Sequence, residues 1–209
     1  LKNIFLDLGR CPPSNSLIVN EKEKKKEKKF QLLTYVCNNC WLVQTKDVVS
    51  KKIFFNNHYP YFSSTSSSWL NHAKDYVTKI CSKLKLDKRS FVIELASNDG
   101  YLLQYFKKKK IPCMGIEPSK NTANVAKKKG IKTLDNFFSY DLAKKIKHKP
   151  DLIIGNNVYA HVPNLNDFTK GIKTLLKKGG TITLEFPHLL NLIKYSQFDT
   201  IYHEHFSYF

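Results

Sequence analysis

Apolar and polar residues follow two different patterns along the chain, and the change between them falls near residue 89. Before that point, short runs alternate between apolar and polar side chains, as in Phe30–Val36 and again over residues 41–44. Alternation with a period of two is typical of strands that have one exposed face. We therefore expect residues 1–62 to form a small module of short strands and turns.

Two segments in this part of the chain have patterns of their own. Residues 21–29 are all charged, which predicts a solvated loop. Residues 63–88 predict a connecting helix, because the serine-rich run 63–68 can cap its beginning. The apolar residues that follow at helical spacing are Trp69, Ala73, Tyr76, Val77, Ile80 and Leu84.

From residue 89 to residue 209, apolar strands alternate with helical segments. The predicted strands are residues 91–96, 112–117, 131–134, 151–155 and 181–185. One predicted helix begins at residue 101, a second covers 119–129, and a third covers 168–177 and ends at Gly179 and Gly180. This alternation favours an α/β fold in which a mostly parallel, doubly wound sheet carries helices on both faces.

The net charge of +18 suggests a nucleic-acid partner, but the kind of basic residue argues against one. Only Arg10 and Arg89 are arginines, whereas reading bases and gripping phosphates with two hydrogen bonds both favour arginine. We therefore expect no nucleic acid as the main partner. The sequence sets no oligomeric state.

The sequence also predicts a cytoplasmic protein that is not inserted in a membrane. No apolar run approaches the roughly 20 residues that span a bilayer, and the first residues lack a signal-peptide pattern. Cys81 and Cys113 lie in apolar segments typical of buried, reduced thiols.

The turn after the first predicted strand of the α/β part runs from Glu94 to Gly100. It contains a single glycine, so it lacks the bare backbone that a pyrophosphate needs. Its carboxylates and amides instead suit a cofactor with positive charge, such as S-adenosylmethionine with its ammonium and sulfonium groups. The residues that we expect to contact this cofactor here are Glu94, Ala96, Asn98, Asp99 and Gly100.

Polar residues also follow the next three strands, where ligands bind in open α/β sheets. Glu117, followed by Pro118, is placed to accept hydrogen bonds from ribose hydroxyls. After the third strand, Asp135, Asn136 and Phe137 offer an acceptor and an aromatic face to adenine, and Asn156 and Asn157 follow the fourth strand, beside the methionine end. The alternative for each acid is a helix cap or a surface charge, but their order along the chain favours a ligand.

The last stretch of the chain concentrates ionisable groups. Tyr202, His203, Glu204 and His205 are consecutive, and each would need a partner if buried. Histidine titrates near neutrality, so a glutamate beside it indicates a tuned proton acceptor and hence a reaction centre. Metal binding by His203, Glu204 and His205 is weakly supported, because adjacent side chains on a strand diverge.

Five segments together resemble the S-adenosylmethionine-dependent sugar C-methyltransferases, a family that acts on deoxysugar nucleotides. These segments are ELASNDG at 94–100, GIEPS at 115–119, NNVYAHVP at 156–163, EFPH at 185–188 and FDTIYHEH at 198–205. The resemblance implies a Rossmann-like class I methyltransferase fold, preceded by a small zinc-ribbon-like β module. It extends over nearly the whole chain, including residues 59–64 and 69–72.

The family also implies roles for particular residues. By its place in the last motif, His205 resembles the general base, and Glu204 would orient or polarise the site. Tyr202 and His161 resemble the groups that flank a keto sugar and its enolate. One tyrosine of the N-terminal part, Tyr59 or Tyr61, is expected to reach the sugar.

The zinc module of the family carries two Cys-x-x-Cys pairs, and Cys37 and Cys40 match the second pair. The first pair would lie before Leu1, so two of the four ligands of a tetrahedral zinc site are missing. The alternative for Cys37 and Cys40 is a turn with reduced thiols. The family's sheet has seven strands where five are predicted here, so we expect this chain to be a piece of a longer protein, shortened at both ends.

The expected reaction is therefore methylation of a carbon atom in a keto-deoxysugar nucleotide, through an enolate formed by a general base. One alternative is an O- or N-methyltransferase of the same fold, since such acceptors need less help from a tuned base. Another is a binding protein with a degenerate Rossmann domain and no activity.

Overall fold

A computed structural model describes residues 3–15, 17–46 and 59–209. The chain divides into two compact units. One comprises Leu1–Phe54, Asn157–Pro163 and Glu185–Phe209, and the other comprises Phe55–Asn156 and Asn164–Leu184. The sequence pattern placed residues 185–209 with the α/β part, whereas the contacts place them with the N-terminal residues.

The first unit is built on a four-stranded antiparallel sheet. Its strands are β1 (Asn3–Cys11), β2 (Phe30–Val36), β3 (Val43–Thr45) and β9 (Ser207–Tyr208), in the order β1-β2-β3-β9. The end of the chain therefore completes the sheet of the N-terminal module, with Val43 opposite Tyr208. Leu32, Val43, Leu192, Ile201 and Tyr208 form the core of this unit.

The predicted strands of this unit are confirmed, and one prediction is wrong. Within the expected loop over residues 21–29, Glu21–Lys24 form a single helical turn, α1, whose N-cap Asn20 accepts a hydrogen bond from the Glu23 amide. The turn remains fully on the surface, as its charges require. The unit also contains the 3₁₀ turns Tyr159–His161 and Phe198–Thr200, and a short helix Leu189–Lys194, which the sequence pattern did not reveal.

The second unit begins with the predicted connecting helix. A 3₁₀ turn, Ser63–Thr65, leads into α2 (Ser67–Leu84). Ser66 caps α2 by accepting a hydrogen bond from the Trp69 amide, as the serine-rich run predicts. The helix ends at Lys85, whose φ of 51° is left-handed.

A five-stranded parallel sheet lies at the centre of this unit. Its strands are β4 (Val92–Leu95), β5 (Cys113–Ile116), β6 (Thr133–Leu134), β7 (Leu152–Asn156) and β8 (Thr181–Glu185), in the order β6-β5-β4-β7-β8. The helices between them are α3 (Leu103–Lys108), α4 (Lys120–Lys128), α5 (Tyr140–Lys145) and α6 (Leu165–Leu175). All five predicted strands are present, and α5 is the helix that the pattern missed.

Both faces of this sheet are covered. Val92 and Ile93 point to opposite faces, and both are fully buried, as are Ile153 and Ile154. One face packs against Ala73 and neighbouring residues of α2 and against α3. The order of strands reverses direction between β4 and β7, and such a switch point opens a crevice at the carboxyl ends of the strands.

Among the described residues, no helix has both the length and the apolar character needed to cross a membrane.

Candidate functional site

The loop after β4 adopts a conformation that ordinary residues avoid. Ala96, Asn98 and Gly100 have positive φ values of 55°, 49° and 77°. At Gly100 a side chain would also collide with the core, since a Cβ there would lie 2.5 Å from Ile131 Cδ1. The sharp turn buries the polar residues Ser97, Asn98 and Asp99. Backbone held in sparsely populated regions is typical of functional sites.

Glu117, directly after β5, connects this loop to the next one. Its two carboxylate oxygens accept hydrogen bonds from the amides of Asn98 at 2.9 Å and Ser119 at 2.8 Å. Burial raises the pKa of Glu117, and these amide hydrogen bonds oppose that shift. The expected contact of Glu117 with ribose hydroxyls stays a prediction.

Asn98 holds the segment that carries the two candidate tyrosines. Its side-chain oxygen accepts a hydrogen bond from the Ser63 amide at 2.9 Å, and its side-chain nitrogen donates to the Tyr61 carbonyl at 3.1 Å. Asn121 of α4 donates to the Tyr59 carbonyl at 2.7 Å. Residues 59–63 therefore lie against the predicted cofactor loop. Asn121 was not predicted, because no spacing pattern marks it.

Asp99 is a deeply buried acid of the loop, with 1% of its surface exposed. One carboxylate oxygen accepts hydrogen bonds from the Ser64 hydroxyl and from Lys129 Nζ, the latter at 3.1 Å. The other oxygen is buried and has no hydrogen-bond partner among the described residues. The lysine was missed, since the long lysine runs of the sequence hide individual members.

Glu94 lies near the end of β4 and is also 1% exposed. Neither of its oxygens has a hydrogen bond of ordinary geometry from the described part of the chain. Burial raises the pKa of Glu94 well above its usual value; the nearby Tyr101 hydroxyl lowers it, and the charges of Glu117 and Asp99 raise it further. Burying a carboxyl group with so little hydrogen bonding costs folding free energy, which a bound ligand can recover.

These residues fit S-adenosylmethionine. Glu94, Asp99 and Glu117 are three buried acids. Among the described residues, Lys129 is the one cation in contact with any of them. These acids suit the ammonium and sulfonium groups of the cofactor, because a neighbouring cation favours the ionised form of a carboxyl group. Buried polar atoms without partners among the described residues remain available at Glu94, Ser97, Asp99, Ser119 and Asn156.

The other predicted cofactor residues differ in their surroundings. Asp135 and Asn136 are exposed, with Asp135 lying 3.7 Å from Lys127, while Phe137 and Pro118 are half-buried. Asn157 belongs to the first unit. It has a φ of 50° and donates its amide to the Glu185 carbonyl at 2.7 Å.

In the first unit, two neighbours of His205 define its tautomer. A carbonyl can only accept, so the contact of 2.8 Å between Nδ1 and the Thr200 oxygen places a hydrogen on Nδ1. Nε2 then has a lone pair, and the Tyr202 hydroxyl donates to it at 2.9 Å. Burial lowers the pKa of His205, opposed by the hydrogen bond to Thr200. The imidazole is therefore a neutral base with its lone pair on Nε2.

His161 completes an aromatic cluster around this base. Its ring centre lies 4.6 Å from that of His205, and the Tyr202 ring lies 4.1 Å from His205 on another side. Burial, together with the neighbouring His205, lowers the pKa of His161 to about 3. His161 Nδ1 is 4.0 Å from Glu204 Oε2, but a neutral imidazole forms no ion pair with that carboxylate.

Glu204 faces the interior of the first unit and is 1% exposed. Its Oε1 accepts hydrogen bonds from the Ser14 hydroxyl and from Asn15 Nδ2, both at 3.0 Å. Burial raises the pKa of Glu204, and these two hydrogen bonds lower it. Ser14 and Asn15 were not predicted, because nothing in their local sequence indicates an ionisable partner. The structure thus brings together the four predicted catalytic residues, while their roles stay predictions.

His203 points elsewhere. Its Nε2 donates to the Phe30 carbonyl at 3.3 Å, and its ring packs edge-on against that of Phe30, 6.1 Å between centres. The side chain therefore ties the last motif to β2, and it does not join the cluster around His205.

Cys37 and Cys40 lie in the turn between β2 and β3. Hydrogen bonds from Asn39 and Cys40 lower the pKa of the Cys37 thiol. No group of three or more potential metal ligands occurs in residues 3–15, 17–46 and 59–209. Two thiols do not complete the four ligands of structural zinc, so the described residues do not fit the metal by themselves.

Comparison with known families agrees with this geometry. Residues 69–209 match the family described as "Methyltransferase domain". The chain belongs to this family. Residues 1–55 match a second family, described as "Putative zinc binding domain". The methyltransferase domain expected from the sequence motifs is therefore confirmed.

Among curated proteins, the chain is similar to the C-methyltransferase NovU of Streptomyces niveus. The two are 31% identical over 207 residues, which is 98% of this chain and 49% of NovU. The chain thus spans about half the length of this relative.

Solved structures with the same fold include two S-adenosylmethionine-dependent methyltransferases. One, from Archaeoglobus fulgidus, has a TM-score of 0.55 and 15% identity, covering 65% of this chain and 61% of its own. The other, from Clostridium acetobutylicum, has a TM-score of 0.50 and 18% identity, covering 60% and 54%. The predicted class I methyltransferase fold is confirmed.

Proposed function

We propose that the protein containing this methyltransferase domain transfers the methyl group of S-adenosylmethionine to a carbon atom of a keto-deoxysugar nucleotide. The observation that carries the proposal is the state of His205, a buried neutral imidazole with its lone pair on Nε2. A carbon acceptor needs such a base, because it becomes nucleophilic only after losing a proton. The similarity to NovU, a C-methyltransferase, supports the same acceptor atom.

The cofactor would be held by the residues after β4, β5 and β7. Glu94 and Asp99 supply negative charge for its cationic groups, Glu117 accepts from ribose hydroxyls, and Asn156 offers a buried amide. S-adenosylmethionine supplies an electrophilic methyl group on a sulfonium centre. Asp135, Asn136 and Phe137 would contact the adenine.

In the first step, His205 Nε2 accepts a proton from the carbon next to the ketone of the sugar. Tyr202 donates its hydroxyl hydrogen to that nitrogen at 2.9 Å, so the proton reaches His205 either after this hydroxyl is displaced or through it. The C–H electron pair becomes an enolate. A well-placed general base contributes about 10²–10⁴-fold to such a step.

The enolate oxygen needs a donor, and Tyr202 and the neutral His161 surround the base on two sides. One hydrogen bond of this kind contributes roughly 10²–10³-fold. The enolate carbon would then form a bond to the methyl group that the cofactor supplies, and the electron pair of the broken carbon–sulfur bond would stay on sulfur. Solvent afterwards removes the proton from His205. Tyr59 or Tyr61 would contact the sugar.

The test uses the full-length protein, S-adenosylmethionine labelled with ¹³C in its methyl group, and a panel of keto-deoxysugar nucleotides. Carbon NMR distinguishes a methyl group on carbon from one on oxygen or nitrogen by its chemical shift. We expect a C-methyl product. A label found on oxygen or nitrogen would indicate an O- or N-methyltransferase. If titration calorimetry detects no binding of S-adenosylmethionine, the protein has no transferase activity.

A further inference from the structure

We propose that Ser14 and Asn15 are positioning residues of the reaction centre, acting through Glu204. This inference rests on the proposed function, because it assigns them to the same proton-transfer site. The two residues belong to a turn that follows β1, 190 and 189 positions away from Glu204 in the sequence. Both residues lie outside β1, which ends at Cys11.

Both donors bind the same oxygen of the carboxylate. The Ser14 hydroxyl and Asn15 Nδ2 each lie 3.0 Å from Glu204 Oε1. Two donors on one oxygen fix the rotation of the carboxyl group and leave Oε2 facing His161 Nδ1 at 4.0 Å. Ser14 and Asn15, bound to Oε1, therefore set the orientation of Oε2 toward His161.

The backbone of the turn is arranged to present these side chains. Pro12 and Pro13 restrict the backbone conformation of the segment that leads into the turn, and Pro13 is buried. Asn15 has a φ of 62°, in the left-handed region that asparagine tolerates better than most residues. The turn thus accepts local strain at the residue whose amide reaches Glu204.

The contact matters because Glu204 is buried. A carboxylate at 1% exposure tends to take up a proton, and the two hydrogen bonds oppose this by favouring the charged form. When His205 accepts a proton, positive charge develops beside His161, whose ring centre is 4.6 Å away. A negative Glu204 behind His161 stabilises that charge, provided that the carboxylate remains ionised and correctly turned.

The variants Ser14→Ala and Asn15→Gly remove one donor each in the full-length protein. Glycine at position 15 keeps the left-handed backbone, so the change tests the amide and not the turn. Ser14→Thr keeps the hydroxyl and should restore activity. Asn20→Gly, in the neighbouring surface turn, is the matched control, because Asn20 only caps α1.

We expect kcat to fall about 10- to 100-fold in Ser14→Ala and Asn15→Gly, as positioning losses do. The KM for S-adenosylmethionine should change by less than about twofold, since neither variant alters a residue that is predicted to bind the cofactor. In a Glu204→Ala background, Asn15→Gly should cause no further loss of kcat. A full additional loss there would overturn the proposal, because the two residues would then act independently.

A second readout needs no turnover. In protein with ¹⁵N-labelled histidine, the imidazole signals of His161 and His205 should shift in Asn15→Gly and stay in place in Asn20→Gly. Unchanged signals in both variants would refute the positioning role. If the unaltered protein methylates no acceptor, the proposed function fails, while these signals still decide whether Ser14 and Asn15 act on the cluster through Glu204.

Discussion

The backbone carbonyl of Thr200 accepts the Nδ1 hydrogen of His205 at 2.8 Å, five residues before it in the chain. This short-range contact determines which nitrogen carries the lone pair, because Nδ1 cannot serve as both donor and base. The 3₁₀ turn Phe198–Thr200 presents the carbonyl. The proton acceptor is therefore defined within the last motif.

His205→Ala should lower kcat by about 10²–10⁴-fold, because the general base is lost. The dissociation constant for S-adenosylmethionine should stay within about twofold, since the change lies outside the predicted cofactor residues. Turnover and isothermal titration calorimetry measure the two quantities separately. His188→Ala, a histidine outside the cluster, is the control, and unchanged turnover in His205→Ala would disprove the assignment of the base.

Glu94→Gln should stabilise the apoprotein at pH 7 and weaken cofactor binding by at least about tenfold. The folded-state pKa of Glu94 is raised, so its contribution to stability is fully present below the unfolded value near 4.5 and lost as pH rises. The stability gain of the variant should therefore be smaller at pH 4.5 than at pH 7. Thermal unfolding at both pH values tests this, with Glu21→Gln on the surface as the control. A variant that is less stable at pH 7 would contradict the prediction.

Lys129→Met should tighten binding of S-adenosylmethionine several-fold, because it removes the cation that contacts Asp99 at 3.1 Å. The gain should be larger than for S-adenosylhomocysteine, which lacks the sulfonium charge. The apoprotein should become less stable, since the buried Asp99 carboxylate loses the cation that pairs with it. Titration calorimetry with both ligands gives the ratio, and Lys128→Met, on the exposed surface of α4, should leave it unchanged. An equal effect on both ligands would show that the charge of Asp99 does not contact the sulfonium group.

His161→Gln should make the protein less sensitive to acid. The pKa of His161 is lowered from 6.5 to about 3, so its contribution to stability is present above pH 6.5 and is lost as pH falls toward 3. Removing the imidazole removes that part of the loss. Denaturant unfolding between pH 7 and pH 4 should show a smaller decrease in the variant than in the parent protein. The exposed His148→Gln should behave as the parent does, and a variant with the parent's decrease would refute the prediction.

The strands of the parallel sheet could be predicted because their signal is local. Segments such as Val92–Leu95 and Leu152–Asn156 are short, apolar and buried on both faces, so each can be recognised as a strand from its own residues. The cap of α2 at Ser66 is local in the same sense. The one-turn helix Glu21–Lys24 escaped prediction because its charged residues have no apolar face from which to recognise a helix.

The candidate site divides in a similar way. Tyr202, Glu204 and His205 lie within four positions of one another in the sequence, and this cluster stands out by composition alone. The residues that bind buried acids do not stand out in this way. Ser14 and Asn15, which bind Glu204, lie about as far away along the chain as its length permits, and Lys129, which pairs with Asp99, is one lysine among many. Hydrogen bonds of this kind depend on which surfaces meet after folding, and no local pattern encodes them.

The amino-acid sequence alone determined the α/β architecture, the order of polar residues at successive strand ends, and the concentration of imidazole and carboxylate groups in the last motif. Only the tertiary structure decided that the final strand pairs with Val43 and Gln44 of the N-terminal sheet, which nitrogen of His205 is basic, and which residues hold Glu204. The physical reason is the range of the interactions: apolar periodicity and helix caps act between residues a few positions apart, whereas strand pairing and buried hydrogen bonds join residues that only the folded chain brings into contact.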